Sequence, residues 1–129
     1  MIGPSSSHTA GAARLARISA LIAQKPFHHV SFGLHGSFAK TYKGHGTDCA
    51  LVAGVLGLSE DDERLSNAFT LAREKNLTYE FYEINIEGVH QNTVKITFSL
   101  DDGSYCEVIG SSIGGAQIII HQINGFDVS

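Results

Sequence analysis

Val94, Ile96, Phe98 and Leu100 alternate with Lys95, Thr97 and Ser99, and Asp101-Asp102-Gly103 then turns the chain into Tyr105 to Ile109. Alternation of period two places every apolar residue on one face, and the Asp-Gly signal closes the pair into an antiparallel hairpin. A half-buried hairpin needs a layer to cover its apolar face. The stretches before it supply that layer. From Ala10 to about Ala23, Leu15, Ile18 and Ile22 recur at helical spacing and predict a helix ended by Lys25-Pro26. Thr47 and Asp48 are placed to cap a second helix from Cys49 to Leu56, with Gly57 ending it. Ser66 to Lys75 reads as a third, with Asn76 at its end, after an acidic linker over Ser59 to Glu63.

Three further strands are expected. Val30, Phe32 and Leu34 alternate with Ser31 and Gly33 and deliver His35, with His28 and His29 ahead of the strand. Thr78 to Ile86 is rich in Tyr and Phe, and Gln117 to Ile123 forms the last strand after a Gly110 to Gly115 loop. Helices mostly precede the strands, so the expected fold is α+β, with helices packed on a mixed, largely antiparallel sheet.

With 129 residues, of which 43% are apolar, the chain suits one domain, residues 1–129, with a real core. Nine Lys and Arg against thirteen acidic residues leave a formal charge of −4 and no basic stripe for nucleic acid or an anionic membrane. No apolar run approaches the roughly 20 residues of a membrane span, and no secretory signal opens the chain, so it is read as cytoplasmic. Cys49 and Cys106 lack Cys-x-x-Cys spacing and read as free, buried thiols, so no metal site is expected on this chain.

Two stretches carry chemistry. Gly3-Pro4-Ser5-Ser6-Ser7-His8-Thr9 runs straight into the first helix, so any of Ser5, Ser6 and Ser7 can cap it while unpaired amides face outward. The plain alternative is a well-capped surface helix; the functional one is an anion site for a carboxylate or phosphate. His35 to Asp48 crowds two imidazoles, two lysines and three glycines into a segment with little apolar content. Gly114-Gly115 reads as a backbone turn that also lets the chain approach a ligand, with Ser111 and Ser112 beside it.

Together these stretches resemble the beta subunit of the iron-sulfur-dependent L-serine dehydratases. The resemblance is carried by Gly3-Pro4-Ser5-Ser6-Ser7-His8-Thr9, Gly36-Ser37, Lys43-Gly44-His45-Gly46-Thr47-Asp48, His90 with Asn92-Thr93, and Ser112-Ile113-Gly114-Gly115, and it spans nearly the whole chain. Gln91 stands where the family often has proline, and Ala116 where it has a third glycine. The resemblance implies a fold similar to the allosteric substrate-binding domain of phosphoglycerate dehydrogenases. It also implies a chain trimmed of a short lead-in and of a C-terminal ACT domain.

The chemistry implied is removal of water from L-serine, giving aminoacrylate and then pyruvate and ammonia. A 4Fe-4S cluster takes the hydroxyl in that family; its ligands are expected on the alpha subunit, the partner of this chain. On that reading His45 is the base for the Cα proton, exposed between Gly44 and Gly46, and His8 orients substrate or assists proton transfer. The substrate cradle is Ser5, Ser6, Ser7, Thr9, Lys43, His90, Asn92, Ser112, Gly114 and Gly115. His35, beside Gly36-Ser37, sits where the family tolerates an aromatic. His28, His29 and His121 are read as structural or surface residues. A homodimer is expected when the chain is alone. The competing reading is a regulatory module that binds serine or another anion without direct catalysis. A serine hydrolase using Ser7 and His8 is disfavoured, since adjacent residues at a helix start do not face each other and no Gly-x-Ser-x-Gly elbow exists.

Overall fold

The computed structural model describes residues 7–36, 39, 46–59, 63–86, 88, 92–114 and 117–128. Within them the order is α1 (Ser7–Ala23), β1 (Phe27–Gly36), α2 (Thr47–Val55), a 3-10 turn (Glu63–Asn67) and α3 (Ala68–Glu74). Then follow β2 (Thr78–Glu83), β3 (Asn92–Leu100), β4 (Tyr105–Gly114), β5 (Gln117–Ile123) and β6 (Phe126–Asp127). The six strands form one sheet in the order β2-β1-β3-β4-β5-β6. Only the β1–β2 pairing is parallel, so the fold is α+β on a mixed, largely antiparallel sheet. No described helix is long and apolar enough to cross a membrane.

The alternation in the sequence sets which face is covered. Val30, Phe32 and Leu34 of β1, Val94, Ile96 and Phe98 of β3 and Val108 of β4 share one core with Ala12, Leu15 and Ala16 of α1, Leu51 and Val52 of α2, and Ala68 and Ala72 of α3. The described helices therefore pack on one face of the sheet. The other face carries Ser31 and Gly33, Lys95 and Thr97, and Glu107 and Ile109, the residues between those core positions.

The expected hairpin is present, with Ser99 opposite Tyr105 and Gly103 at φ 90° in the turn. The Asp102 carboxylate accepts the Ser104 hydroxyl and the Ser104 amide at 2.9 Å, and Lys25 at 3.2 Å. Those bonds, the Ser104 hydroxyl first, lower its acid to about 2.

Several expectations change. Gly110 to Gly114 is not a loop but the second half of β4. Its glycine and serines are there because α1 lies directly over them: a Cβ on Gly110 would sit 2.5 Å from Leu15 Cδ1. His28 and His29 lie inside β1 rather than before it. His28 pairs with Asp101 at 3.0 Å, and His29 meets Thr78 at 2.7 Å across the parallel pairing. The β2 strand stops at Glu83, short of Ile86, and a two-residue β6 follows β5. The third helix is split, with 3-10 geometry through Asn67 and α geometry from Ala68; Asn76 ends it at φ 58°. In α1 the fully buried positions are Ala12, Ala13, Leu15, Ala16 and Ser19, whereas Ile18 is only half-buried. Small residues win those positions because both the sheet and α2 approach closely.

The tightest approach to another element's backbone is at Gly54 of α2. A Cβ there would meet the Ala13 carbonyl, sit 2.6 Å from Ala16 Cβ and lie 2.9 Å from the Arg17 amide nitrogen. Two of these three neighbours are helix backbone and cannot rotate away. Gly54→Ala is therefore expected to destabilise the domain by about 1–3 kcal/mol, the usual range for overpacking, despite alanine's better helix propensity. Urea denaturation measures it, and an unchanged midpoint would contradict so close a contact.

Candidate functional site

The helices α1 and α2 run side by side in the same direction. Near their starts Thr9 shares a cavity with Gly46, Cys49 and Ala50; further along, Ala13, Ala16 and Arg17 meet Gly54. Both amino ends therefore lie at one pole. Parallel helix dipoles repel when side by side, and here the packing brings two partial positive helix ends to one space. An anion relieves the repulsion.

The shared cavity has a volume of about 100 Å³ and is lined by Thr9, Gly46, Cys49, Ala50, Leu65 and Ser66. That holds roughly three waters' worth of atoms. A larger open groove of about 650 Å³ lies along α3 and β2, between Phe69, Arg73 and Tyr79, but none of the motif residues lines it.

Capping of α2 differs from expectation. The N-cap is Gly46, in the left-handed region at φ 84°, and it offers no side-chain bond. Thr47 is inside the helix, 1% exposed, and its hydroxyl has no hydrogen-bond partner among the described residues. Asp48 accepts the neighbouring Cys49 amide at 2.7 Å. A buried unpaired hydroxyl costs on the order of 1–3 kcal/mol, so this helix start is built with an unmet polar demand.

Ends of four strands meet the same pole. Asn92 opens β3 opposite Gly36, the last residue of β1. Ser112 near the end of β4 is 1% exposed, and its hydroxyl fills the space a side chain on Gly11 of α1 would need. Gly114 closes β4 at φ 106°, the positive value expected of that turn, opposite Gln117 of β5. Thr9, 2% exposed, faces inward on the first turn of α1. The structure thus brings Thr9, Asn92, Ser112 and Gly114 to one pole from three elements, α1, β3 and β4. Ser5, Ser6, Lys43, His45, His90 and Gly115 lie outside the described residues. Ser7 and His8 are described as the first backbone positions of α1, without their side chains.

Lining residues that sequence reasoning did not assign to the site are Gly46, Cys49 and Ala50 at the start of α2 and Leu65 and Ser66, which come from the 3-10 turn. His35, 8% exposed, accepts the Ile86 amide on Nδ1 at 3.1 Å, which makes it a structural acceptor. Burial, then the Asp48 charge, pushes the Cys49 thiol up to about 11. The folded state therefore holds the proton, and the thiol stays neutral as pH rises through 9. Iodoacetamide at pH 8 is expected to label Cys49 roughly 100-fold more slowly than an unperturbed thiol, read by mass spectrometry of the native and unfolded chain. Equal rates would contradict that environment.

Cys49 and Cys106 are both free. Two thiols are fewer than the four a four-iron cluster takes, Cys106 is buried in the core, and no trio of His, Cys, Asp or Glu among the described residues could hold a metal ion. The described residues do not fit an iron-sulfur cluster.

Residues 1–78 match the family described as serine dehydratase beta chain. The chain belongs to that family. The match runs from the start of the chain through α1, β1, α2 and α3, and so contains both helix amino ends. Relatives within the serine dehydratases extend it. The "L-serine dehydratase, beta chain" of Peptoniphilus asaccharolyticus is 50% identical over 129 residues, covering 99% of this chain and 58% of that one. The "Probable L-serine dehydratase, beta chain" of Bacillus subtilis (strain 168) is 45% identical over 128 residues, with the same two coverages. "L-serine dehydratase TdcG" of Escherichia coli (strain K12) is 39% identical over 66 residues, 47% of this chain and 14% of that protein. The chain thus spans 58% of the length of its two beta-chain relatives.

Proposed function

We propose that this chain is the beta component of an L-serine ammonia-lyase, which dehydrates L-serine to pyruvate and ammonia, and that it supplies the substrate cradle and the base. The observation that carries this reading is the convergence of two parallel helix amino ends on one small cavity, inside the residues that match the serine dehydratase beta chain family. A serine carboxylate suits that pole on charge, and Ser5, Ser6, Ser7 and Thr9 bring hydroxyls to it. Lys43, His90, Asn92, Ser112, Gly114 and Gly115 complete the wall. His45, the residue immediately before the α2 N-cap, takes the Cα proton, and His8 orients the substrate.

The leaving hydroxide needs a Lewis acid that the two cysteines here cannot hold, so an alpha chain carrying the 4Fe-4S cluster is the proposed partner. The test is anaerobic reconstitution with a cluster-bearing alpha chain, following pyruvate formed from L-serine. Turnover that requires this chain supports the shared site. Full turnover without it overturns the proposal and makes the chain a regulatory serine-binding module.

A further inference from the structure

A buried polar ladder crosses the sheet at the same pole, on the face opposite the helices. Thr93 of β3 and Ser111 of β4 are paired across the strands, both wholly buried, with their hydroxyl oxygens 2.6 Å apart. Ser111 Oγ is 2.7 Å from Nε2 of His121 on β5. A register shift between Ile109 and Gly110 leaves His121 as an extra residue in β5 and brings its ring beside Ser111. The residues next to the ladder, Asn92 and Ser112, turn to the helix side and belong to the candidate cradle.

We infer that protonation of His121 is passed through the hydroxyls of Ser111 and Thr93 to the Asn92 and Ser112 rim of the helix-end site, and so regulates anion binding there. The part that concerns binding rests on the function proposed above. Neutral His121 with its lone pair on Nε2 accepts the Ser111 hydroxyl, and Ser111 then accepts from Thr93. Imidazolium has no lone pair. Its Nε2–H must donate to Ser111, so Ser111 donates to Thr93 and Thr93 directs its own hydrogen beyond the ladder. Adding a proton at one end therefore reverses two hydrogen bonds, so that both donors point away from His121 toward Thr93, the neighbour of Asn92.

Other charges near this face are engaged. Glu107 of β4 pairs with Lys95 of β3 at 3.4 Å, and Asp127 of β6 accepts the Gln122 side chain at 3.0 Å. His35 of β1, opposite Thr93, has Nδ1 occupied by the Ile86 amide. On the far side of the sheet, α1 carries Arg14 and Arg17. No other residue of β5 titrates.

The experiment is a pH titration of the whole chain by NMR, following the His121 ring and the backbone amides of Asn92 and Ser112, in the parent, Ser111→Ala and His121→Asn proteins. The amides should move with the His121 midpoint in the parent. In Ser111→Ala that movement should vanish while the ring still titrates, and in His121→Asn it should vanish outright, which covers the case of Ser111→Ala failing to fold. Amides that stay flat in the parent, or still follow the midpoint in Ser111→Ala, overturn the relay. L-serine is then titrated on both sides of the midpoint. Affinity roughly three- to tenfold higher below it, the worth of about one hydrogen bond, is expected for the parent and not for His121→Asn. L-serine that shifts neither Thr9 nor Gly46 at either pH overturns the cradle reading, whereas equal affinity on both sides overturns the regulation alone.

Discussion

Alanine at His45 lowers pyruvate formation by the reconstituted enzyme by roughly 10²–10⁴-fold, the usual contribution of a positioned general base. The loss falls on kcat. On the proposed reading the carboxylate is held by amides and hydroxyls at the two helix starts, and these remain in place, so KM for L-serine changes little. Assembly with the alpha chain, followed by gel filtration, stays intact, as does the thermal midpoint of the free chain. In the sequence His45 directly precedes Gly46, whose left-handed backbone begins α2. Near-normal turnover in the variant would remove His45 from the chemistry while leaving the cradle untouched.

The opposite pattern is expected at Phe32. Its ring is wholly buried in the middle of β1, stacked on Phe81 of β2 with centroids 5.1 Å apart and planes at 16°. The two residues are direct partners in the parallel pairing. Phe32→Ala removes that stack and opens a cavity beneath the helices. The expected cost is about 3–5 kcal/mol, a large part of the roughly 5–15 kcal/mol that holds a domain together. Urea or thermal unfolding monitored by circular dichroism measures it. Phe32→Leu keeps most of the volume and should lose clearly less; equal losses for the two variants would show that packing is not what Phe32 contributes.

Much of this architecture was legible in the residues. The alternation from Val94 to Leu100, the Asp102-Gly103 turn and the bounds of β5 are local patterns, and the structure shows them as written. What escaped depends on partners far along the chain. The Gly110 to Gly114 stretch has loop composition, yet it is strand because α1 needs a surface without bulky side chains. The parallel pairing of β1 with β2 has no signal in either strand, and β1 reaches back over His28 and His29 because Phe27 and His29 pair with Leu100 and Ser99 of β3 and His29 with Thr78 of β2. Thr47 looked like a cap because hydroxyls favour that place; the glycine before it took the position and left the hydroxyl inside. The site was legible as a set of residue types but not as a place. That Thr9, Asn92, Ser112 and Gly114 share one pole follows from helix direction and strand register, which only the fold supplies.

The glycine contact between the two helices sets a fixed gauge. Main-chain atoms meet at Gly54, so the spacing of the two amino ends does not depend on any side chain changing rotamer. A ligand seated between them finds a jaw of constant width. Adapting this pole to a larger or differently charged ligand would therefore fall to the segments that rim it, and the helices themselves could be left as they are.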